Sequence, residues 1–565
     1  MAYAITQNCC SDATCVSVCP VNCIHPTPDE PDFGTTEMLY VDPQSCIDCG
    51  ACADACPVDA VFPVDRLRGG DTVYAELNAA HYARGGEGEP APWAPPTFPP
   101  TLPAREEPLR VAIVGTGPAA CYTAETLLRT AGAHVTLLDR LPVPGGLVRF
   151  GVAPDHPATK GVADGFRELF HHPRLRLHLN VEVGRDVTAA ELAAHHHAVV
   201  YAVGASGDRT LGIPGEDLPG SLSARRLVAW YNAHPDAATT PVDLSAERAV
   251  VVGNGNVALD VARILLSDPA DLARTDIADH ALAALREGRT REVVLLGRRG
   301  PEHAAYTRPE LLALLQLPGV EVVVDDHPAV AAVIDAAADG DRAAVLRGVR
   351  RERIDWAQPP PAGKRIVLRF LSSPVELRGD TRVEAVLTRR AEVPAAAGAF
   401  PGGEEAIPAG LVLTAIGYRG APVPGLPFDP ATGTVPNDEG RVLDPATGQP
   451  VPGTYVVGWI KRGPTGGIGA NKACSGGTVA ALLADAAAGL LPDPMGTPGQ
   501  LRRLVRTRAP HALGRRAAAA IDRAERRAGK AAGRPRVKFA TTAELLAAGR
   551  ALPSLPSLVR RSSAR

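Results

Sequence analysis

Across the middle of the chain, hydrophobic positions gather into short runs that alternate with helical stretches. Leu109-Arg-Val-Ala-Ile-Val114 is an apolar run of the buried parallel-strand kind, and it leads through Gly115-Thr116-Gly117-Pro118-Ala119-Ala120 into a helical stretch reaching Leu128. His134-Val-Thr-Leu-Leu-Asp139 reads as the next strand. The same order returns with Ala249 to Val252, the loop Gly253-Asn254-Gly255-Asn256-Val257-Ala258, a helix from Leu259 to Leu266 and a strand from Glu292 to Gly297. Strands at Ala198 to Val203 and Thr454 to Val457, and a helix from Thr478, extend the pattern. Such alternation predicts an α/β fold with two Rossmann-like units. From 84 to 108 the chain is rich in Gly and Glu, with eight prolines between Pro90 and Pro108, so it predicts an extended spacer.

The chain has 565 residues, 45% of them hydrophobic and 21% charged, with net charge −3, which suits a soluble enzyme of several domains. Neither a run of about 20 apolar residues nor a basic-then-apolar leader is legible, so the expected location is the cytoplasm and no membrane partner is expected. Only six of the 59 basic residues are lysine, so clustered arginines carry little information by themselves. Their distribution is nevertheless uneven, with an acidic head over 1–70 and a basic tail over 496–565. The tail could attract an acidic partner or form a solvated face; a nucleic-acid partner is not expected.

Nine of the eleven cysteines precede residue 57, a density that in a cytosolic chain points to metal. Cys46-x2-Cys49-x2-Cys52-x3-Cys56-Pro57 is the spacing for cubane iron-sulfur clusters, in which the fourth cysteine serves a second cluster. Three thiolates on one tight loop hold three corners of a cube, so a second run must supply the rest. Cys9-x2-Asp12-x2-Cys15-x3-Cys19-Pro20 is that run, with Asp12 in place of one cysteine. The frame assigns Cys46, Cys49, Cys52 and Cys19 to one [4Fe-4S] cluster, and Cys9, Cys15 and Cys56 to the other. Asp12 either leaves its corner vacant, giving [3Fe-4S], or supplies an oxygen to a labile fourth iron of a [4Fe-4S] cluster. A zinc ribbon also uses paired CxxC spacings, but seven cysteines in this frame fit it poorly. Cys10 and Cys23 fall outside the frame, and Cys121 and Cys474 read as buried small hydrophobes.

The two glycine loops carry nucleotide chemistry. Glycines let the backbone approach a pyrophosphate, and the helix that follows offers unpaired N–H groups. After the first loop the strand ends in Asp139, where an acid can hold an adenosine ribose. After the second it ends in Arg298-Arg299, the cationic pair that a 2′-phosphate requires. FAD at the first loop and NADP(H) at the second follow. Late in the chain, Gly458-Trp459 to Gly466-Gly467-Ile468-Gly469 is a glycine-rich helix start able to lie against the flavin pyrimidine edge. The triple histidine 195–197 precedes a strand and reads as loop.

Residues 1–66 resemble a bacterial two-cluster ferredoxin of the seven-iron kind, which implies a small α+β fold with two short hairpins. Gly115-Thr-Gly-Pro, Gly146-Leu-Val-Arg-Phe-Gly-Val-Ala-Pro-Asp-His156-Pro, Ile213-Pro-Gly-Glu, Gly253 to Arg263, Gly297-Arg-Arg-Gly-Pro301 and Gly458 to Gly466 resemble the adrenodoxin-reductase type of ferredoxin–NADP reductase over about 109–550. The resemblance implies FAD contacts near Gly115, Gly117, Ala119, Ala120, Asp139, Leu147, Val183, Trp459, Gly466, Gly467 and Ile468. It implies NADP contacts at Arg209, Asn254, Gly255, Asn256, Val257, Arg298, Arg299 and Glu310, with Gly466 near the nicotinamide. His156 would lie close to the flavin as a tuning or proton-relaying residue, or be structural. A second acid in the family pattern, three residues beyond Glu310, is here Ala313. The implied organisation is a ferredoxin domain (1–66), a Pro-rich linker (67–108), a discontinuous FAD domain (109–205 and 409–495), an inserted NADP domain (206–408) and a basic extension (496–565). The expected reaction is hydride transfer between NADPH and FAD, then single electrons to the chain's own clusters or to an external ferredoxin. The rivals are a non-catalytic electron-transfer subunit and a dedicated reductase for a P450-type oxygenase.

Overall fold

The computed structural model describes residues 2–84, 107–130, 132–395, 398–400 and 402–550. The spacer expected over 84–108 falls, apart from its ends, outside them. In the N-terminal unit the two cysteine runs fold alike. Helices Thr14–Val18 and Ala51–Ala55 carry Cys15 and Cys52, and Cys19 and Cys56 are their extended C-caps, each followed by proline. Left-handed residues match between the runs, Ser11 with Asp48, Ala13 with Gly50 and Asn22 with Asp59, because each loop must turn its backbone around a common centre. Two antiparallel ribbons frame them. Ile24–His25 pairs with Tyr40–Val41, while Tyr3–Ile5 pairs with Val61–Pro63 and so joins the ends of the unit rather than forming a local hairpin.

The unit is longer than expected. Helix Val73–Arg84, inside the stretch assigned to the linker, packs back on it. Buried Asn78 accepts from Ile5 N at 3.1 Å and Val41 N at 2.8 Å and donates to Ile5 O, satisfying backbone groups of both ribbons. Tyr82 donates to the carbonyls of Cys23 and Tyr40.

Leu109–Val114, buried throughout, lies inside a seven-stranded sheet between Ala198–Tyr201 and Ala133–Asp139. All its ladders from Pro450–Val456 to Leu175–Leu179 are parallel, as expected of strands covered by helices on both faces. A second sheet of seven parallel strands has the order Ser221–Ser223, Leu411–Thr414, Arg248–Val252, Glu292–Leu296, Lys364–Arg369, Val320–Asp325 and Arg350–Glu352. Leu411–Thr414 therefore belongs to the second sheet, and the boundary expected at 408/409 falls one strand too early. There it pairs with Ser221–Ser223 on one side and Arg248–Val252 on the other.

The basic tail forms helices Pro498–Arg508, Arg515–Ala531 and Thr542–Arg550. Arg515–Ala531 carries Glu525, which is fully buried and receives both arms of Arg149 at 3.0 and 2.6 Å and one arm of Arg536 at 2.6 Å. Lys538 reaches Asn232 at 3.0 Å and Asp276 at 2.8 Å, beside Lys160, which holds the same two partners. The tail thus straps the 146–169 region of the first sheet's unit to the second unit. Among the described residues none of its cations pairs with the N-terminal unit; the pairs it makes are with the two nucleotide units and within itself.

Candidate functional site

Cys19, Cys46, Cys49 and Cys52 line one hollow, together with Tyr3, Val21, Cys23, Ile47 and Gly50. Burial, then the neighbouring Cys46, Cys19 and Cys49, push the Cys52 thiol up to about 11. Cys15 is raised by burial and then by Cys9, Asp12 and Cys56. The thiols are therefore interleaved between runs: Cys19 faces Cys46 and Cys52, and Cys56 faces Cys9 and Cys15. Clustered thiols of this kind ionise only against a metal that offsets their repulsion. Backbone N–H groups already point at sulfur, Leu39 N to Cys9 at 3.5 Å and Ala60 N to Cys56 at 3.2 Å. Asp12 is committed elsewhere. Its carboxylate accepts from Thr14 N at 3.2 Å and from the Thr14 hydroxyl, and lies 3.5 Å from Lys472 Nζ. Cys23, outside the cysteine frame, is a buried wall of the hollow with its sulfur 3.5 Å from that of Cys19.

The two glycine loops are built identically. Gly115 has φ +114° and a Cβ there would sit 2.4 Å from Ala202 O, while Gly253 has φ +122° and a Cβ would sit 2.4 Å from Ala415 O. Helices Pro118–Arg129 and Asn256–Leu266 then start at Gly117 and Gly255 without side-chain caps, leaving N–H groups for an anion. Gly117 packs on Gly146, where a Cβ would meet the Gly117 Cα at 2.8 Å. Ala119 and Ala120 are buried under the first loop. Asp139 ends its strand with Oδ2 accepting from Thr116 Oγ1 at 2.5 Å, and burial raises its pKa. Ile468–Ala487 is a third uncapped start, at Gly467. Trp459 donates to Gly466 O at 3.1 Å and stacks on Tyr418. Val183 bridges to Val187, and Leu147 is 37% exposed beside the Gly145–Gly146 turn.

At the second loop, Asn256 Oδ1 accepts from Thr307 N at 2.9 Å and Asn254 Oδ1 from Ala305 N at 3.4 Å, which fixes both side chains. Val257 packs into the core below them. Arg298 and Arg299 are exposed, and among the described residues neither they nor Arg209 has a carboxylate partner. That separates them from the many arginines of this chain that are paired.

His156, Asp260 and Glu310 meet where the two units touch, with side-chain ligand atoms within 4.8 Å of one another. His156 is the N-cap residue of Pro157–Leu169, and Glu310 lies in the first turn of Arg308–Leu315. Burial, then the Asp260 charge, raises the Glu310 carboxyl. Arg263 ties the units together, bonding Asp155 at 2.6 and 3.1 Å and Asp260 at 2.7 Å. Its buried Nη1 lies 3.9 Å from Glu310 and has no hydrogen-bond partner among the described residues, a donor left for a polar ligand group. Asp260 and Arg263 were not singled out in sequence, although their spacing along one helix from the Asn256 loop could have flagged them. Ala313 leaves Glu310 without its second acid on the same helix, and Asp260 supplies one from another. The triple histidine is structural: His196 bonds Leu192 O and Thr136, and His197 accepts from Arg110 N.

The pyridine nucleotide-disulphide oxidoreductase family matches residues 109–296, and the 4Fe-4S binding domain family matches 39–62. The probable ferredoxin/ferredoxin–NADP reductase of Mycobacterium tuberculosis is 51% identical over 586 residues, covering 100% of this chain and 98% of the relative. Human mitochondrial NADPH:adrenodoxin oxidoreductase is 41% identical over 80% of this chain and 94% of its own length. The structure of Mycobacterium tuberculosis FprA in complex with NADPH superposes with a TM-score of 0.70 at 45% identity, covering 78% of this chain and 100% of that one. Two interleaved thiol sets, two uncapped glycine loops and full-length similarity of this degree lead to one assignment: the chain belongs to the ferredoxin–NADP reductase family, in its form with an N-terminal ferredoxin domain.

Proposed function

We propose that this chain moves electrons between NADPH and ferredoxin, with its own N-terminal unit as the internal acceptor. The observation that carries this reading is the contact between the units: Gly469 N, in the first turn of the uncapped helix Ile468–Ala487, donates to Cys10 O at 2.9 Å, next to the thiol of Cys9. Gly115, Gly117, Ala119, Ala120, Asp139, Leu147, Val183, Trp459 and Gly466 to Ile468 would hold FAD. Arg209, Asn254 to Val257 and Glu310 would hold NADPH, with the guanidinium forks of Arg298 and Arg299 on its 2′-phosphate. When bound, FAD accepts an electron pair as hydride from the nicotinamide and releases it one electron at a time. Asp139 accepts ribose hydroxyls, the two loops cradle the pyrophosphates, and Arg263 Nη1 donates to a polar group of the bound nucleotide. The raised Glu310 carboxyl, against His156, can hold a proton at the junction; His156 then acts as a relay rather than a structural cap. Cys19, Cys46, Cys49 and Cys52 would hold a [4Fe-4S] cluster. Cys9, Cys15 and Cys56 would hold a [3Fe-4S] cluster, because Thr14 and Lys472 occupy the Asp12 carboxylate.

The test is an anaerobic NADPH titration followed by flavin absorbance and cluster EPR together. Bleaching of flavin with change of the cluster signals within turnover time is expected. A response of flavin alone overturns the internal-acceptor assignment, and no response of flavin overturns the reductase reading as a whole.

A further inference from the structure

The N-terminal unit meets the rest of the molecule along one edge, and that edge is the side of a single thiol set. Cys10 O is bonded to Gly469 N, Asp12 and Thr14 lie against Lys472, at 3.5 and 2.9 Å, and Pro57 O lies 3.7 Å from where a Cβ of Gly161 would stand. Of the N-terminal residues in these contacts, Cys10, Thr14 and Pro57 adjoin Cys9, Cys15 and Cys56, and Asp12 lies between Cys9 and Cys15. The other set faces away, with Cys49 exposed and Ile47 59% exposed. A second clamp reaches the opposite unit: Glu37 takes Arg342 Nε at 2.7 Å and Arg308 N and Nε at 3.1 and 3.3 Å, and Gln7 donates to Glu310 at 3.3 Å. The ferredoxin unit therefore sits on both nucleotide units at once.

We infer that the ferredoxin unit is a docked relay of fixed direction, receiving electrons at the Cys9/Cys15/Cys56 set and releasing them from the Cys19/Cys46/Cys49/Cys52 set, with Gly469 and Glu37 as the residues that position it. The inference rests on the internal-acceptor reading above. Gly469 is helical with no positive φ, and alanine is the better helix former, so the helix itself does not require glycine there. The approach does, because a Cβ would lie 2.0 Å from Ser11 O and 2.4 Å from Cys10 O. Each transfer moves one electron and no atom. With the groups bound, an electron from reduced flavin would reduce one ferric iron held by the receiving thiolates and then pass to an iron held by the outer thiolates, restoring the first; two such transfers would return the flavin to its oxidised form with release of one proton to solvent.

The experiment uses the full holoprotein and two variants, Gly469→Ala and Glu37→Lys, the latter placing a third cation against Arg308 and Arg342. Rapid-freeze EPR after NADPH mixing is expected to change the three-thiolate signal before the four-thiolate signal in the parent chain. In both variants the ratio of cluster reduction to flavin reduction is expected to fall by about tenfold or more, since like charges or steric overlap at a contact cost several kcal/mol; with Glu37→Lys, flavin reduction itself is unchanged. Hydrogen exchange read at the Gly469 amide of Glu37→Lys is expected to lose protection, a readout independent of turnover. A four-thiolate signal that changes first, an unchanged ratio, or undiminished protection overturns the relay. A parent chain whose flavin bleaches while both clusters stay silent instead sinks the internal-acceptor reading on which the relay rests.

Discussion

Arg298 and Arg299 are ordinary residues in an arginine-rich chain; their place at the end of Glu292–Leu296, with no carboxylate partner among the described residues, is what marks them. Charge-assisted hydrogen bonds are worth about 1.5 to 3 kcal/mol. Arg298→Ala is accordingly expected to weaken NADPH binding roughly ten- to a hundredfold while leaving NADH nearly unchanged, measured by titration of the oxidised protein. Equal losses for the two nucleotides contradict the 2′-phosphate assignment. Glu525 is the opposite kind of residue, invisible as a site and structurally central. With no exposed surface it neutralises Arg149 and Arg536 and accepts from Phe539 N. Glu525→Ala leaves Arg149 and Arg536, both largely buried, without their shared carboxylate, although Arg536 keeps Asp522, a change that costs about 2 to 4 kcal/mol. A clear drop in thermal midpoint is expected, and a midpoint within error of the parent chain would refute this role.

The glycine loops set the chemistry at the scale of elements. In each, a first glycine at positive φ passes over the carbonyl of a neighbouring strand and hands the chain to an uncapped helix. A side chain there is strained by conformation, at about 1 to 3 kcal/mol, and by contact with backbone that cannot move without the sheet. Gly253→Ala should therefore displace the second helix start, weakening NADPH binding by about tenfold or more while the chain keeps its flavin. Flavin absorbance with a nucleotide titration reads both, and loss of flavin alongside NADPH affinity would show that the two loops are not independent.

The whole molecule is joined by buried or half-buried charges rather than by apolar surface alone. Asp155 and Glu525 lie at such junctions. For Asp155 burial opposes ionisation and the Arg263 bond outweighs it; for Glu525 burial is outweighed by Arg149 and then Arg536. Both carboxyls therefore ionise below their ordinary range. A group of this kind stabilises the fold fully above its unfolded pKa and loses that contribution as pH falls through its folded value. His178, His196 and His234, each held down to about 4 by burial, stay neutral in the fold and take up protons on unfolding, so the thermal midpoint is expected to start falling as pH drops below about 6.5 and to fall more steeply below about pH 4, where the two carboxyls add their loss. A midpoint that stays level from about pH 7 to 5 would contradict the burial of these imidazoles.

How much was legible in sequence follows the range of the interactions. The cysteine frame, both glycine loops and the strand ends at Asp139 and Arg298 are local patterns, because a cluster loop, a pyrophosphate loop and a ribose or phosphate hold each need residues at fixed short spacing. Those patterns alone determined the fold class, the family and the chemistry of each unit. Helix Val73–Arg84 escaped because its function lies in Asn78, which satisfies strands far away in sequence. The boundary that the resemblance implied at 408/409 falls one strand before Leu411–Thr414, because an apolar strand carries no label of its neighbours. Asp260 and Arg263 joined the site only when folding brought their helix against His156 and Glu310. The tail looked like a charged surface until Glu525, Lys538 and their partners met inside it. Which thiol set faces the reductase was likewise beyond any spacing rule. It depends on a missing side chain at Gly469 and a carboxylate at Glu37, and contacts between units this remote in sequence exist only in three dimensions.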